Sequence, residues 1–376
     1  MEKPLRILQA GMSPYYGGTE SFIMNQYRKI NRDMIQFDFL NVFDKPIACE
    51  EEIKALGGNV YHLNMSRRKG MKKYHQNLKN FFEEYGEKFD IIHCNFQSLI
   101  NIDLLIYAKK YGIKGRIAHA HNAGYGTEPN ILQKRIIANN KKKVSKYATT
   151  YFACSSLASK WTFGHSKATV IHNAIDTKQF LFNIDMRNKI RSQYGLTNKK
   201  LILFVGRLDP QKNPFFLIDI FNEIVRIDSN WKLFVIGDGA LRPDIEQRIA
   251  QYGLQDYVNL LGSRSDVKDF LQASDCFLLP SKFEGLGIVL IEAQAAGIPC
   301  FTSKDVVPSD VDITGLVNFI SLEQTSKDWA TNIVNYEFPE RIDWYETVKS
   351  SGYDADSNVS FIENEYFSII QANNIK

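Results

Sequence analysis

Two glutamates in the pattern Glu-x7-Glu, Glu284 and Glu292, lie within the run Pro280-Ser281-Lys282-Phe283-Glu284-Gly285-Leu286-Gly287-Ile288-Val289-Leu290-Ile291-Glu292. Apolar residues Cys276 to Leu279 precede it as a strand, and a Pro-Ser turn follows. A helix-forming run then begins and is stopped by Gly297 and Pro299. Glu284 therefore falls on the loop after a strand. Glu292 falls about one and a half turns into the helix, on a stripe with Ile288. Gly285 and Gly287, either side of Leu286, let backbone N–H groups approach a ligand at the helix N-terminus, where an anion is favoured. Two carboxylates, bare amides and a helix dipole together suit a ligand that is both phosphorylated and polyhydroxylated.

Other stretches add complementary chemistry. Gly206-Arg207-Leu208-Asp209-Pro210-Gln211-Lys212 follows directly on an apolar strand. A guanidinium fork and an ammonium point charge at a strand's carboxyl end suit a diphosphate; a basic surface loop is the plainer alternative. Gly237-Asp238-Gly239 follows another strand and resembles the start of a dinucleotide fingerprint. Arg242 takes the third glycine's place, however, and position 259 is Asn instead of an acid, so a turn lining a ligand cleft is the better reading. Gly17-Gly18-Thr19-Glu20 opens the first helix, either as a plain turn or as a close backbone approach to a phosphate or sugar. His119 and His121 share one side at the ligand end of a strand, and His121-Asn122-Ala123-Gly124-Tyr125-Gly126 opens a loop. His-x-His could be a metal pair, but no third ligand accompanies it, so no metal is expected.

These loops need a scaffold with strand ends on one side. Strands are expected at Leu5–Ala10, Phe37–Leu40, Val60–Leu63, Phe89–His93 and Arg116–Ala120. The pattern restarts at Lys200–Val205, Trp231–Ile236, Val258–Leu261 and Asp275–Leu279, with helices between. The fold class is α/β, with two parallel-sheet domains that bind ligands at the strands' carboxyl ends and in the cleft between them. The boundary is placed in the polar segment 173–180, giving domains 1–175 and 176–354. A length of 376 residues suffices for both.

Composition narrows the class further. A hydrophobic content of 44% with 23% charged residues is that of a soluble globular chain, and no apolar run is long enough to span a bilayer. The net charge of +4 conceals a split: residues 1–176 carry 26 Lys+Arg against 15 Asp+Glu (+11), and 177–376 carry 20 against 27 (−7). The first domain is thus expected to face something anionic. Met65-Ser66-Arg67-Arg68-Lys69-Gly70-Met71-Lys72-Lys73-Tyr74, leading to Phe81-Phe82, is basic with interleaved apolar residues, and Lys141-Lys142-Lys143 adds to it. It reads as a solvated face or as a reversible contact with an anionic membrane; nucleic acid is not expected, since no binding motif accompanies the charge. Five scattered cysteines without a CxxC pair point to a reducing cytoplasm.

Taken together, these residues resemble the family 4 retaining glycosyltransferases of the GT-B fold, over most of the chain. The strongest match is Glu284-x7-Glu292 in Pro-Ser-x-x-Glu-Gly-Leu-Gly…Glu-Ala…Ala-Gly-Ile-Pro, joined by Gly206-Arg207…Lys212, Gly237-Asp238-Gly239, Gly17-Gly18-Thr19-Glu20 and the His121-Asn122 pair. The resemblance implies two Rossmann-like domains and a C-terminal segment, roughly 355–376, that crosses back to the first. It implies that Arg207 and Lys212 neutralise the donor's diphosphate and that Glu292 holds the ribose diol. Glu284 binds hydroxyls of the transferred sugar, helped by the backbone of Gly285, Leu286 and Gly287. His121 corresponds to the family's histidine beside the donor sugar, and Gly17 and Gly18 to the loop where phosphate and acceptor meet. The stretch ending at Arg264 corresponds to the base site. Two departures stand out: Ala174 replaces the usual Gly in the interdomain segment, and Val307-Pro308-Ser309-Asp310 replaces the common Gly-Gly-x-Pro-Glu run.

The resemblance is nearest to bacterial enzymes assembling capsular or exopolysaccharide repeat units. The expected reaction is transfer of a hexose from a nucleotide diphosphate sugar, UDP-linked by preference, with retention and without metal or other cofactor. The expected acceptor is a glycan or a polyprenyl-diphosphate-linked sugar. The expected place is the cytoplasm, peripheral to the inner face of the plasma membrane. Rival readings are a sugar-nucleotide epimerase of the same fold and a non-catalytic partner of another transferase. A nicotinamide dehydrogenase is disfavoured by Arg242.

Overall fold

The computed structural model describes residues 3–63, 70–122, 124, 128–164, 168–284 and 286–374. The chain divides into two compact units, Met1–Ala174 with Ala355–Lys376, and Ile175–Asp354.

The first unit contains strands β1 (Leu5–Ala10), β2 (Ile35–Asn41), β3 (Val60–His62), β4 (Ile91–Phe96), β5 (Gly115–Ala120), β6 (Thr150–Ala153) and β7 (Thr169–Val170). They form one parallel sheet in the order β3-β2-β1-β4-β5-β6-β7. The second contains β8 (Lys200–Val205), β9 (Trp231–Ile236), β10 (Val258–Gly262), β11 (Cys276–Leu279), β12 (Cys300–Ser303) and β13 (Val317–Ile320), parallel in the order β10-β9-β8-β11-β12-β13. Each sheet is doubly wound. The strand order reverses between β1 and β4 in one unit and between β8 and β11 in the other. At such a switch point the two flanking loops diverge and leave a crevice at the strands' carboxyl ends.

Helices on both faces account for the apolar runs. Leu201 to Phe204 and Cys276 to Leu279 are fully buried, as parallel strands covered on both sides must be. Pro214 occupies the first position of the helix Pro214–Ile227, where its missing N–H costs nothing. The C-terminal helix Ala355–Asn374 belongs to the first unit: Val359, Ile362, Tyr366 and Ile369 pack with Ile7, Phe37, Ile91, Ile117 and Phe152.

Four short strands, β6, β7, β12 and β13, were not expected from the sequence. Each is two to four residues long and lies in the outer part of its sheet. The fourth strand begins two residues later and ends three later than the apolar run Phe89–His93 suggests, which carries Asn95 to its ligand end. Tyr74, Leu78, Phe81 and Phe82 of the helix Met71–Tyr85 are buried in the core and face inward, while Met71, Lys72, Lys73 and Lys79 are exposed. Residues 65–69 of the segment lie outside the described residues. Among those described, no helix is long and apolar enough to cross a membrane.

Candidate functional site

In the second unit the two switch-point loops carry the residues that the sequence singles out. The loop after β8 holds Gly206, Arg207 and Lys212; the loop after β11 holds Glu284, Leu286 and Gly287. Gln211 fastens one to the other: its backbone C=O accepts from the Lys282 N–H at 2.8 Å, and its side-chain amide donates to the Phe283 C=O at 3.2 Å. The clamp sets Lys212 against Glu284. Lys212 Nζ lies 2.6 Å from Glu284 Oε1, and the Ser281 hydroxyl donates to the same oxygen at 2.6 Å. Glu284 Oε2 has no hydrogen bond among the described residues. Gly287, at φ +76°, caps the helix Ile288–Ala295.

Arg207 is nearby but differently placed. Its side chain is 72% exposed, 3.0 Å from Asp209 Oδ2 and 3.3 Å from Gln211 Oε1. Asp209 also accepts from the Lys212 N–H at 3.1 Å, so one carboxylate shapes the loop and steadies its arginine. Glu292 is half-buried and makes no side-chain hydrogen bond among the described residues. Loss of water around its carboxyl pushes its pKa up to about 7.

The glycines are explained by backbone contact. Gly237 adopts φ +135°, and a Cβ there would lie 1.9 Å from the Gly206 C=O oxygen; one on Gly239 would lie 2.4 Å from that of Leu208. The loops after β8 and β9 are pressed together backbone to backbone, which no side chain would allow. Arg264 is turned to Asp266, in a two-pronged ion pair at 2.6 and 2.7 Å, and lies over the Phe270 ring.

In the first unit, Gly17 caps the helix Gly18–Lys29, and Gly18 begins it. The buried Glu20 carboxylate accepts from the Ser13 N–H at 2.8 Å and braces the loop leading to both. His121 follows β5 and is 6% exposed. Its Nε2 is 2.8 Å from Asn95 Oδ1, and its ring lies 4.1 Å from that of His119, centroid to centroid. His119 is wholly buried, with Nδ1 3.0 Å from His93 Nε2. Burial lowers all three histidine pKa values, those of His93 and His121 to about 3, so the rings are neutral. Among the described residues, no group of three or more His, Cys, Asp or Glu side chains is arranged to hold a metal ion.

Gly285 lies outside the described residues, as do Ala123, Tyr125 and Gly126 of the loop after His121. Several partners carry no role of their own in the sequence: Asp209, Gln211 and Ser281 in the second unit, and Gln9, His93, Asn95 and Tyr366 in the first. Asp209, Gln211 and Ser281 lie within the loop stretches themselves. Gln9, His93 and Asn95 are brought together by the pairing of β1 with β4, and Tyr366 by the C-terminal helix.

Comparison with known proteins gives one consistent answer. The family model described as "Glycosyl transferases group 1" matches residues 186–333. A Bacillus subtilis (strain 168) protein named as a glycosyltransferase, EpsF, is 30% identical over 371 residues, covering 96% of each chain. The Escherichia coli UDP-Gal:alpha-D-GlcNAc-diphosphoundecaprenol alpha-1,3-galactosyltransferase is 26% identical over 326 residues, covering 80% of this chain and 79% of that one. Among solved structures, Anabaena Alr3699/HepE in complex with UDP superposes with a TM-score of 0.71 at 20% identity, over 98% of both chains. Together the sheets and the full-length match place this chain among the group 1 glycosyltransferases, the family 4 type with the GT-B fold.

Proposed function

We propose that this glycosyltransferase moves a hexose from a UDP-sugar to a sugar acceptor carried on a polyprenyl diphosphate, with retention at the anomeric carbon, in capsular or exopolysaccharide assembly. The observation that carries the reading is the Lys212–Glu284–Ser281 cluster with Arg207 beside it, at the β8/β11 switch point. An ammonium has three N–H donors, and Glu284 takes one, so Lys212 can serve a carboxylate and a phosphate together.

The second unit is the donor unit in this reading. Arg207 and Lys212 take the charge that grows on the diphosphate as the bond to the anomeric carbon breaks, and no metal is required for it. Glu284 orients sugar hydroxyls, Glu292 the ribose diol, and the Arg264 stretch the base. The leaving phosphate oxygen accepts the proton of the acceptor hydroxyl as that hydroxyl bonds to the anomeric carbon on the same face. The first unit is the acceptor unit, with Gly17, Gly18 and His121 contributing. UDP and UDP-glucose are bound by the HepE structures, and a diphosphoundecaprenol-linked acceptor is in the name of the Escherichia coli relative. The exposed lysines of the Met71–Tyr85 helix fit a peripheral contact with an anionic membrane face.

A panel of UDP-, GDP- and ADP-sugars, read by thermal stabilisation and by transfer with and without acceptor, tests the reading. A UDP-sugar should stabilise the protein, by about 2.7 kcal/mol at 100 times Kd, and be consumed faster with acceptor, with chelator present or absent. Conversion without acceptor would make the protein an epimerase; binding without any turnover would make it a non-catalytic partner. Within the site, Glu292→Ala should weaken UDP itself, and Glu284→Gln should keep UDP and lose the sugar.

A further inference from the structure

The buried carbonyls behind His121 fix the direction of its hydrogen bond to Asn95. Asn95 Nδ2 lies 3.1 Å from the Ala10 C=O oxygen and 3.3 Å from that of His93. Both are acceptors only, so the amide nitrogen must face them. Turning the amide over would set three carbonyl oxygens together. Nδ2 also lies 3.0 Å from Gln9 Oε1, so its two hydrogens are shared among three acceptors, and Gln9 Nε2 donates to the Tyr366 hydroxyl oxygen at 3.2 Å. Asn95 Oδ1 is then the acceptor at 2.8 Å from His121 Nε2, and the proton of that ring sits on Nε2. His121 Nδ1 is left as a bare lone pair, buried and without a partner among the described residues.

A second branch runs behind it. The Tyr366 hydroxyl oxygen lies 2.8 Å from His93 Nδ1, and His93 Nε2 lies 3.0 Å from His119 Nδ1. Around His121 the packed groups are Asn95 on β4, His119 on β5 and Phe22 on the helix Gly18–Lys29, and no carboxylate or cation among the described residues acts on the ring.

From this geometry we propose that Asn95 is a positioning residue for the transfer reaction. By accepting the hydrogen bond of Nε2–H, it holds His121 as a permanent hydrogen-bond acceptor at Nδ1, so that His121 receives a hydrogen bond from a substrate hydroxyl and never supplies one. This rests on the reading of the chain as a sugar transferase. It adds a sign to the contact: His121 selects a sugar that has a hydroxyl hydrogen to give at that point, and it is not an acid in the reaction.

The test is long-range 1H–15N correlation of the imidazole nitrogens in the full-length, histidine-labelled protein, with His121 assigned by its absence in His121→Asn. His121 should show a protonated Nε2 and a bare Nδ1 throughout about pH 5 to 8. A protonated Nδ1 on His121 overturns the proposal, and this reading needs no variant of Asn95 and no activity. Asn95→Asp supplies the second readout. A carboxylate against Nε2–H favours the imidazolium, which puts a donor on Nδ1, so kcat/KM for the UDP-sugar should be roughly tenfold lower at pH 6 than at pH 8, relative to the wild-type ratio. A profile that tracks the wild type overturns the positioning role. Absence of turnover with every nucleotide sugar would instead overturn the transferase reading and leave the tautomer result standing.

Discussion

Lys212 Nζ and Glu284 Oε1 are 2.6 Å apart although 72 residues separate them in the chain. Their side chains are 15% and 5% exposed, so the pair is largely cut off from water. Breaking such a pair leaves an uncompensated buried charge, which costs more than the pair is worth intact. Lys212→Met should destabilise the second unit by about 2–4 kcal/mol in urea unfolding, and Glu284→Gln by less, since Ser281 still donates to the amide oxygen. The double variant should cost clearly less than the two single costs added, with a coupling of roughly 1–3 kcal/mol. Additive single costs would show that the contact carries no energy.

Arg207 separates stability from activity. It is 72% exposed and its ion pair with Asp209 is in water, so Arg207→Ala should change unfolding free energy by no more than about 0.5 kcal/mol. If its guanidinium meets the departing diphosphate, kcat should fall roughly 10²-fold. Normal turnover would remove Arg207 from the reaction.

What the sequence made legible, and what it hid, follows from how each signal is encoded. Central parallel strands are written as unbroken apolar runs, so β8, β9 and β11 could be read off, and with them the loops that follow. Strands at the edges of the sheets, such as Thr169–Val170, have too few residues to show a period. Pairings across the switch point have no sequence signal. Lys212 and Glu284 were both picked out for ligand chemistry, and nothing in their local context said that they hold each other. Asn95 was hidden by a strand end placed at His93, three residues short. Tyr366 is hidden because it lies on a helix of which the resemblance implies only that it crosses back. The glycine pattern at 237 and 239 could be read in part: it resembled a phosphate fingerprint, and its cause in the structure is backbone contact with Gly206 and Leu208.

That contact is testable. Gly237→Ala would set a Cβ 1.9 Å from the Gly206 oxygen at φ +135°, so the loops after β8 and β9 must part. The cost should be about 3 kcal/mol or more. Gly195→Ala, also at positive φ but with open space around it, should cost only about 1 kcal/mol. Chemical denaturation of the two variants side by side checks the difference.

Glu292 gives stability a pH dependence of its own. Its folded pKa, near 7, is above the ordinary carboxylate value of 4.5, so the folded protein holds this proton more tightly than the unfolded chain does. The contribution is fully present below about pH 4.5 and is lost as the pH rises through 7. Glu292→Gln, which cannot ionise, should be more stable than the wild type at pH 8, by on the order of 1–3 kcal/mol. Near pH 4 the two should converge. A difference that does not change with pH would mean that the carboxyl titrates normally.

The histidines of the first unit act in the opposite sense. His93 and His121 are held near pKa 3 by burial, below the ordinary value of 6.5, and His119 is lowered too. The unfolded chain therefore takes up protons that the folded one refuses. Their contribution is complete above about pH 7 and falls as the pH drops through 6.5 towards 3, with a slope approaching three protons if all three rings contribute. Tyr366→Phe should reveal what holds the network together. It deletes the one hydroxyl that accepts from Gln9 and pairs with His93 Nδ1, leaving two buried groups unpaired at a cost of about 2–4 kcal/mol. Because Asn95 is still held by the Ala10 and His93 carbonyls, the imidazole spectrum of His121 should stay as in the wild type while those of His93 and His119 change. Urea titrations from pH 8 to 4, with the nitrogen spectra recorded alongside, measure both. An acid slope unchanged by His121→Asn would show that His121 takes no part in it.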